Sequence, residues 1–283
     1  MPNQLSEATY RVVLITVVPA VAQGYTEIVR ALGHDPVAVI STRRRTAGAS
    51  LNPLAPPMLT DAPEGLDVLF VETRRSLAPL LRAYKPDLAI CTGFPWLIPA
   101  EAIDVPRLGI VNGHPSLLPR YRGPFPVAWA VRNGEREIGL SYHGMDASFD
   151  TGPVLAQTRL PLSDDATWET LQAQFAEVTP ALLAEVFERL GRGDRGEPQE
   201  GGEYQSVFED DYRFVDLTQK AADVHRQVHA WSFVPPILPN LGPLLERDGT
   251  SIRLLRTSLN EVDGAERLDC ADGPLWVLES ATV

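Results

Sequence analysis

Leu108-Gly109-Ile110-Val111-Asn112-Gly113-His114-Pro115-Ser116-Leu117-Leu118-Pro119-Arg120-Tyr121-Arg122-Gly123-Pro124 changes character at Asn112. Residues 108–111 form a short apolar run, the length and composition of a buried strand. An amide and an imidazole follow two residues apart, and Pro and Gly then punctuate a loop. In open α/β sheets, ligands sit at the carboxyl ends of the strands. Asn112 and His114 are expected just past such an end.

Working outward, residues 11–18, 37–40, 68–71 and 88–91 are further β-branched or apolar runs. Helical spacing is expected over residues 21–32, stopped by Gly33, and over residues 76–83. Strands alternating with helices imply a parallel sheet covered on both faces. Residues 139–145 and 154–160 are expected as neighbouring strands. The longest helix is expected over residues 167–190, where Trp168, Leu171, Phe175, Val178, Leu182, Val186 and Leu190 make one stripe and Pro180 should kink it. Residues 191–202 are rich in Gly, Glu and Arg and carry almost no apolar residue. Beyond them, Val224, Val228 and Trp231 suggest a short helix, and residues 251–256 and 275–278 suggest strands. The expected fold is α/β: a Rossmann-like, mostly parallel sheet flanked by helices, with a small, mostly β C-terminal domain. The expected divisions are 1–192, a linker at 193–206, and 207–283. The first strand leads into Val18-Pro19-Ala20-Val21 rather than the G-x-G-x-x-G of a dinucleotide site, which disfavours a nicotinamide dehydrogenase.

A second motif follows at Met145-Asp146-Ala147-Ser148-Phe149-Asp150-Thr151-Gly152-Pro153, a carboxylate on a Gly/Pro-punctuated loop between two strands. Asn, His and Asp together can polarise a carbonyl, stabilise an oxyanion and move a proton. Taken with Asn112-Gly113-His114 through Gly123, this motif gives the chain a resemblance to the folate-dependent formyltransferases. That family includes methionyl-tRNA, glycinamide ribonucleotide and sugar N-formyltransferases. The resemblance spans roughly residues 10–190 and is weaker beyond, where Val215-Asp216-Leu217 and Val228-His229-Ala230-Trp231 are similar to the start of the tRNA enzyme's C-terminal barrel.

The resemblance implies formyl transfer from N10-formyltetrahydrofolate to an amine, with Asn112, His114 and Asp150 catalytic. It implies a folate site at Phe94, Trp96, Leu97, Ile98 and Pro99, facing Met145, Asp146 and Ser148. Ser116, Leu117, Leu118, Arg122 and Gly123 are expected to line the acceptor pocket. Core packing is the competing reading for Phe94 and Trp96. His143 reads as core, with a ring facing the cleft as the alternative, and His34 as surface. His225 and His229 share a metal-binding spacing but lack a third ligand and read as a solvated helix face, so no metal is expected.

The chain has 283 residues, a net charge of -12 and two cysteines, Cys91 and Cys270. This implies no disulfide framework, and an acidic balance disfavours a broad electrostatic grip on nucleic acid. The polar N-terminus and the absence of any long apolar stretch imply a cytoplasmic protein that does not enter a membrane. Residues 207–283 carry 13 Asp plus Glu against 7 Lys plus Arg. The expected acceptor is therefore a small-molecule amine, such as an amino sugar nucleotide or a natural-product precursor. Methionyl-tRNA is the alternative; Arg43-Arg44-Arg45 could then serve as a basic loop. A third reading is a folate-binding protein or a formyl-folate hydrolase without transfer activity.

Overall fold

The computed structural model describes residues 8–42, 63–234 and 242–283. Arg43, Arg44, Arg45 and the proline-rich residues 235–241 lie outside them. The described chain forms two compact units.

The first unit holds one sheet. Its strands are β1 (Arg11–Ile15), β2 (Asp35–Ser41), β3 (Asp67–Phe70), β4 (Leu88–Cys91), β5 (Ile110–His114), β6 (Glu137–Gly144) and β7 (Val154–Pro161), in the order β3-β2-β1-β4-β5-β6-β7. The pairs from β3 to β5 are parallel, and β6 runs antiparallel to β5. Burial on both faces explains why β1 and β4 read as unbroken apolar runs rather than alternating ones. One face packs α1 (Pro19–Ala31) and α5 (Trp168–Gly191) through Ala22, Val29, Leu182, Val186 and Phe187. The other packs α2 (Leu77–Tyr84) and α3 (Ala100–Ile103) through Leu77, Leu81 and Ala102. Pro19 sits in the first turn of α1, where its missing N–H has no helical partner to lose. Pro180 lies inside α5, which continues across it as one helix.

Residues 193–204 belong to this unit and are tied to it by specific bonds. Glu197 N–H and C=O both pair with Val154 at 2.8 Å, and Arg122 bridges Tyr204. Polar composition made this stretch read as a linker; its hydrogen bonds go to a strand edge instead. His34 also departs from the surface reading. Its ring packs on Tyr10 and Phe187, with centroids 5.0 and 4.0 Å away.

The second unit is threaded from residues 124–138, 161–168 and 205–283. It contains α4 (Pro126–Arg132), α6 (Ala221–Ser232) and a four-stranded sheet ordered β10-β11-β9-β8. Those strands are β8 (Leu244–Arg247), β9 (Thr250–Ser258), β10 (Glu266–Cys270) and β11 (Gly273–Thr282). Val224, Val228, Leu254, Leu268 and Leu275 form its core. Here His225 bonds Thr257 Oγ1 at 2.8 Å and His229 bonds the Ala166 carbonyl at 2.7 Å, so both are engaged rather than solvated.

Candidate active site

β5 ends at His114 beside β4, with Cys91 in register with Asn112, and beside β6, with His143 in register with Asn112. The alternation of a strand turns Asn112 and His114 to the same face. The Met145–Pro153 loop returns between β6 and β7 and carries Asp150 in a left-handed conformation, φ 56°. That backbone aims the Asp150 carboxylate at the end of β5.

Three side chains converge on one oxygen. Asp150 Oδ1 lies 3.4 Å from Asn112 Nδ2, 3.5 Å from His143 Nε2 and 3.6 Å from His114 Nδ1. The other oxygen, Oδ2, accepts the Gly123 N–H at 2.9 Å. His143 was expected in the core and is buried, yet its ring joins this cluster. Its Nδ1 donates to the Gly144 carbonyl at 3.0 Å, leaving Nε2 to face Asn112 Nδ2 at 3.2 Å. Only the antiparallel register places it there, and a strand pattern does not reveal a partner's register.

His114 has a fixed tautomer. Its Nε2 is 2.9 Å from the carbonyl of Tyr121, which only accepts, so Nε2 carries the hydrogen. Nδ1 therefore holds the lone pair, toward Asp150. At 3.6 Å the two make no direct hydrogen bond; a proton gained at Nδ1 turns the contact into an ion pair. Burial pushes the His114 pKa below the usual imidazole value, outweighing Asp150 and the Tyr121 carbonyl. A neutral base at neutral pH results.

Burial would raise the Asp150 carboxyl, but His114, His143 and the Gly123 N–H together hold it at about 2. The signs follow from linkage. A histidine with a lowered folded pKa costs stability once the pH falls below its unfolded value of 6.5. A carboxylate lowered from 3.8 to about 2 contributes about 2 kcal/mol that is complete above 3.8 and lost as the pH falls toward 2. The unfolding free energy of wild type relative to Asp150→Asn should fall by about this amount as the pH drops from 3.8 to 2, closing the gap between the two proteins. Urea titrations across that range check it; a gap that persists at the acid end removes the ion pair.

The neighbouring residues divide by role. Phe94, Trp96 and Met145 are half-buried on the apolar cluster under β4 and β5, with the Phe94 and Trp96 rings edge-to-face at 5.4 Å. Leu97 and Pro99 are likewise half-buried. Ile98 is 1% exposed and anchors this loop from below. Asp146 ties its own turn, accepting from Ser148 N at 3.0 Å and Thr151 Oγ1 at 2.7 Å. Ser116, Leu118 and Arg122 are buried. Ser116 Oγ donates to the Arg120 carbonyl at 2.8 Å, and Leu117 covers Gly139, where a Cβ would sit 2.5 Å from Leu117 Cδ2. These side chains build the loop that presents His114. Among the described residues, no cluster of His, Cys, Asp or Glu could hold a metal, and no helix is long and apolar enough to cross a membrane.

A family model described as formyl transferase matches residues 11–187. The methionyl-tRNA formyltransferase of Myxococcus xanthus is 31% identical over 246 residues, covering 85% of this chain and 77% of that protein. That of Paracoccus denitrificans is 32% identical over 257 residues, covering 87% and 84%. Among solved structures, HypX from Aquifex aeolicus in complex with tetrahydrofolic acid superposes with a TM-score of 0.70 at 20% identity, over 96% of this chain. The match spans 44% of the HypX chain. A sugar N-formyltransferase from a Shewanella species superposes at 0.61 and 19% identity, over 89% of this chain and 99% of that one. At these identities the two structures speak to the fold alone.

Proposed function

Because the chain belongs to the formyl transferase family, we propose that Asn112, His114 and Asp150 transfer the formyl group of N10-formyltetrahydrofolate to the amine of methionyl-tRNA. The observation that carries the chemistry is the convergence of Asn112, His143 and His114 on Asp150 Oδ1, at 3.4, 3.5 and 3.6 Å.

The chain's residues suit such a donor. Half-buried Phe94, Trp96 and Met145 offer an apolar ledge on strands β4 and β5, whose ends also carry the polar cluster. When bound there, the donor supplies an electrophilic formyl carbon. His114 Nδ1 takes the proton of the attacking amine, since Nε2–H is tied to Tyr121. Asp150 stabilises the imidazolium so formed. Asn112 can turn one N–H toward the developing oxyanion by giving up its long 3.4 Å bond to Asp150. The proton held on Nδ1 then returns to the departing nitrogen.

The names of the sequence relatives favour the tRNA acceptor. A second reading, a small-molecule amine, rests on charge: residues 207–283 carry 13 acidic against 7 basic side chains. Phosphate contacts dominate nucleic-acid affinity, so an acidic unit weakens it and makes it steeply salt-dependent. The test assays charged initiator tRNA, amino sugar nucleotides and amino acids in parallel with N10-formyltetrahydrofolate at physiological salt. Formylated methionyl-tRNA is the expected product. Turnover confined to small amines would transfer the assignment to the second reading, and formate released without any formylated amine would indicate a hydrolase.

A further inference from the structure

Gln199 sits in the stretch that composition marks as a connector, yet its side-chain amide is fully committed. Nε2 donates to the Asp150 carbonyl at 3.0 Å and to the Gly152 carbonyl at 2.6 Å. Oε1 accepts from Arg122 Nε at 3.1 Å and from Arg122 Nη2 at 2.8 Å. Two donors and two acceptor sites are all that a glutamine amide has. Its orientation is fixed by its partners, because a guanidinium only donates and a carbonyl only accepts. Arg122 is 9% exposed, and its Nη1 reaches the Gly202 carbonyl at 3.4 Å.

These bonds join the two loops that shape the site. On one side, Gln199 grips the backbone on either side of Thr151, immediately beside the catalytic carboxylate. On the other, Arg122 lies between Tyr121, whose carbonyl sets the His114 tautomer, and Gly123, whose N–H holds Asp150 Oδ2. The stretch carrying Gln199 is itself pinned. Glu197 pairs with Val154, and a Cβ at Gly202 would meet the Pro119 carbonyl oxygen at 2.3 Å.

We propose that Gln199 is a positioning residue for formyl transfer, locking the Asp150 loop to the His114 loop through Arg122. This rests on the active-site reading above. Catalysis by a charge pair depends steeply on separation, and a misplacement of about 1 Å can cost on the order of 10²-fold in rate. Gln199→Glu separates the two halves of the lock. A carboxylate keeps Arg122 and loses both donors to the Asp150 loop. Gln199→Ala loses both halves.

The experiment measures steady-state formyl transfer and amide hydrogen exchange in both variants and wild type. Expected are a kcat about 10- to 100-fold lower in each variant, a donor KM within about 2-fold of wild type, and faster exchange at the Gly123 amide, with β1 and β4 amides unchanged. Wild-type protection of Gly123 in Gln199→Glu, or acceleration spread evenly over the sheet, would overturn the lock. If wild type shows no formyl transfer while Gly123 still loosens in the variants, the lock stands and the transfer reading falls.

Discussion

Asparagine at position 150 should lower formyl transfer by at least ~10²-fold while the protein stays folded, and His114→Ala should do the same. The choice of asparagine isolates the charge. Asp150 occupies a left-handed conformation, φ 56°, and asparagine is among the few side chains that tolerate that region. The backbone therefore has no reason to move. If the new amide oxygen accepts the Gly123 N–H, its NH2 group faces His114 Nδ1 and Asn112 Nδ2. A donor there occupies the lone pair that must take the substrate's proton, and it opposes the Asn112 donors. The imidazolium also loses its counter-charge. Single-turnover kinetics with saturating donor, alongside circular dichroism, checks this. Near-wild-type turnover in either variant would remove the residue from the chemistry.

Gly152→Ala should destabilise the protein by ~3 kcal/mol or more, at or above the usual range for overpacking. A Cβ at this position would lie 1.8 Å from the Gly144 carbonyl oxygen and 2.9 Å from its carbon. Both atoms are backbone, so no rotamer change relieves the clash. The loop must lift from the end of β6, breaking the 2.9 Å bond from Gly144 N–H to Pro153 O. Asp150 sits two residues away, so transfer should fall with stability. Urea unfolding of the purified variant gives the number. A loss below about 1 kcal/mol would mean that the loop yields more easily than its contacts imply.

Much of the first unit was legible because its signals are local. Four consecutive buried residues mark β4, and the stop at Gly33 with a positive φ marks the end of α1. The Asn112, His114 and Asp150 motifs were readable for the same reason: each lies within a few residues of a strand end. What escaped depends on partners far along the chain. His143 joins the site through register with Asn112, and Gln199 through Arg122, 77 residues away. Neither relation leaves a mark on neighbouring sequence. β10 was missed because only Leu268 of its five residues is buried, too little for an alternation to show. α4 follows a proline-rich stretch, and its seven residues are too few for a stripe.

The threading of the second unit has a consequence for inheritance. Trp129 in α4 packs on Phe208, and Trp168 packs on Phe233, so segments encoded inside the first unit's span complete the second unit's interior. A crossover near residue 205 that exchanged the downstream portion for that of another gene would strand those tryptophans against foreign partners. The two units are therefore expected to diverge together in a lineage, and to resist the domain shuffling that a single connecting segment would permit. On the ribosome, residues 124–138 and 161–168 must likewise wait for Phe208 and Phe233 to emerge before Trp129 and Trp168 are covered.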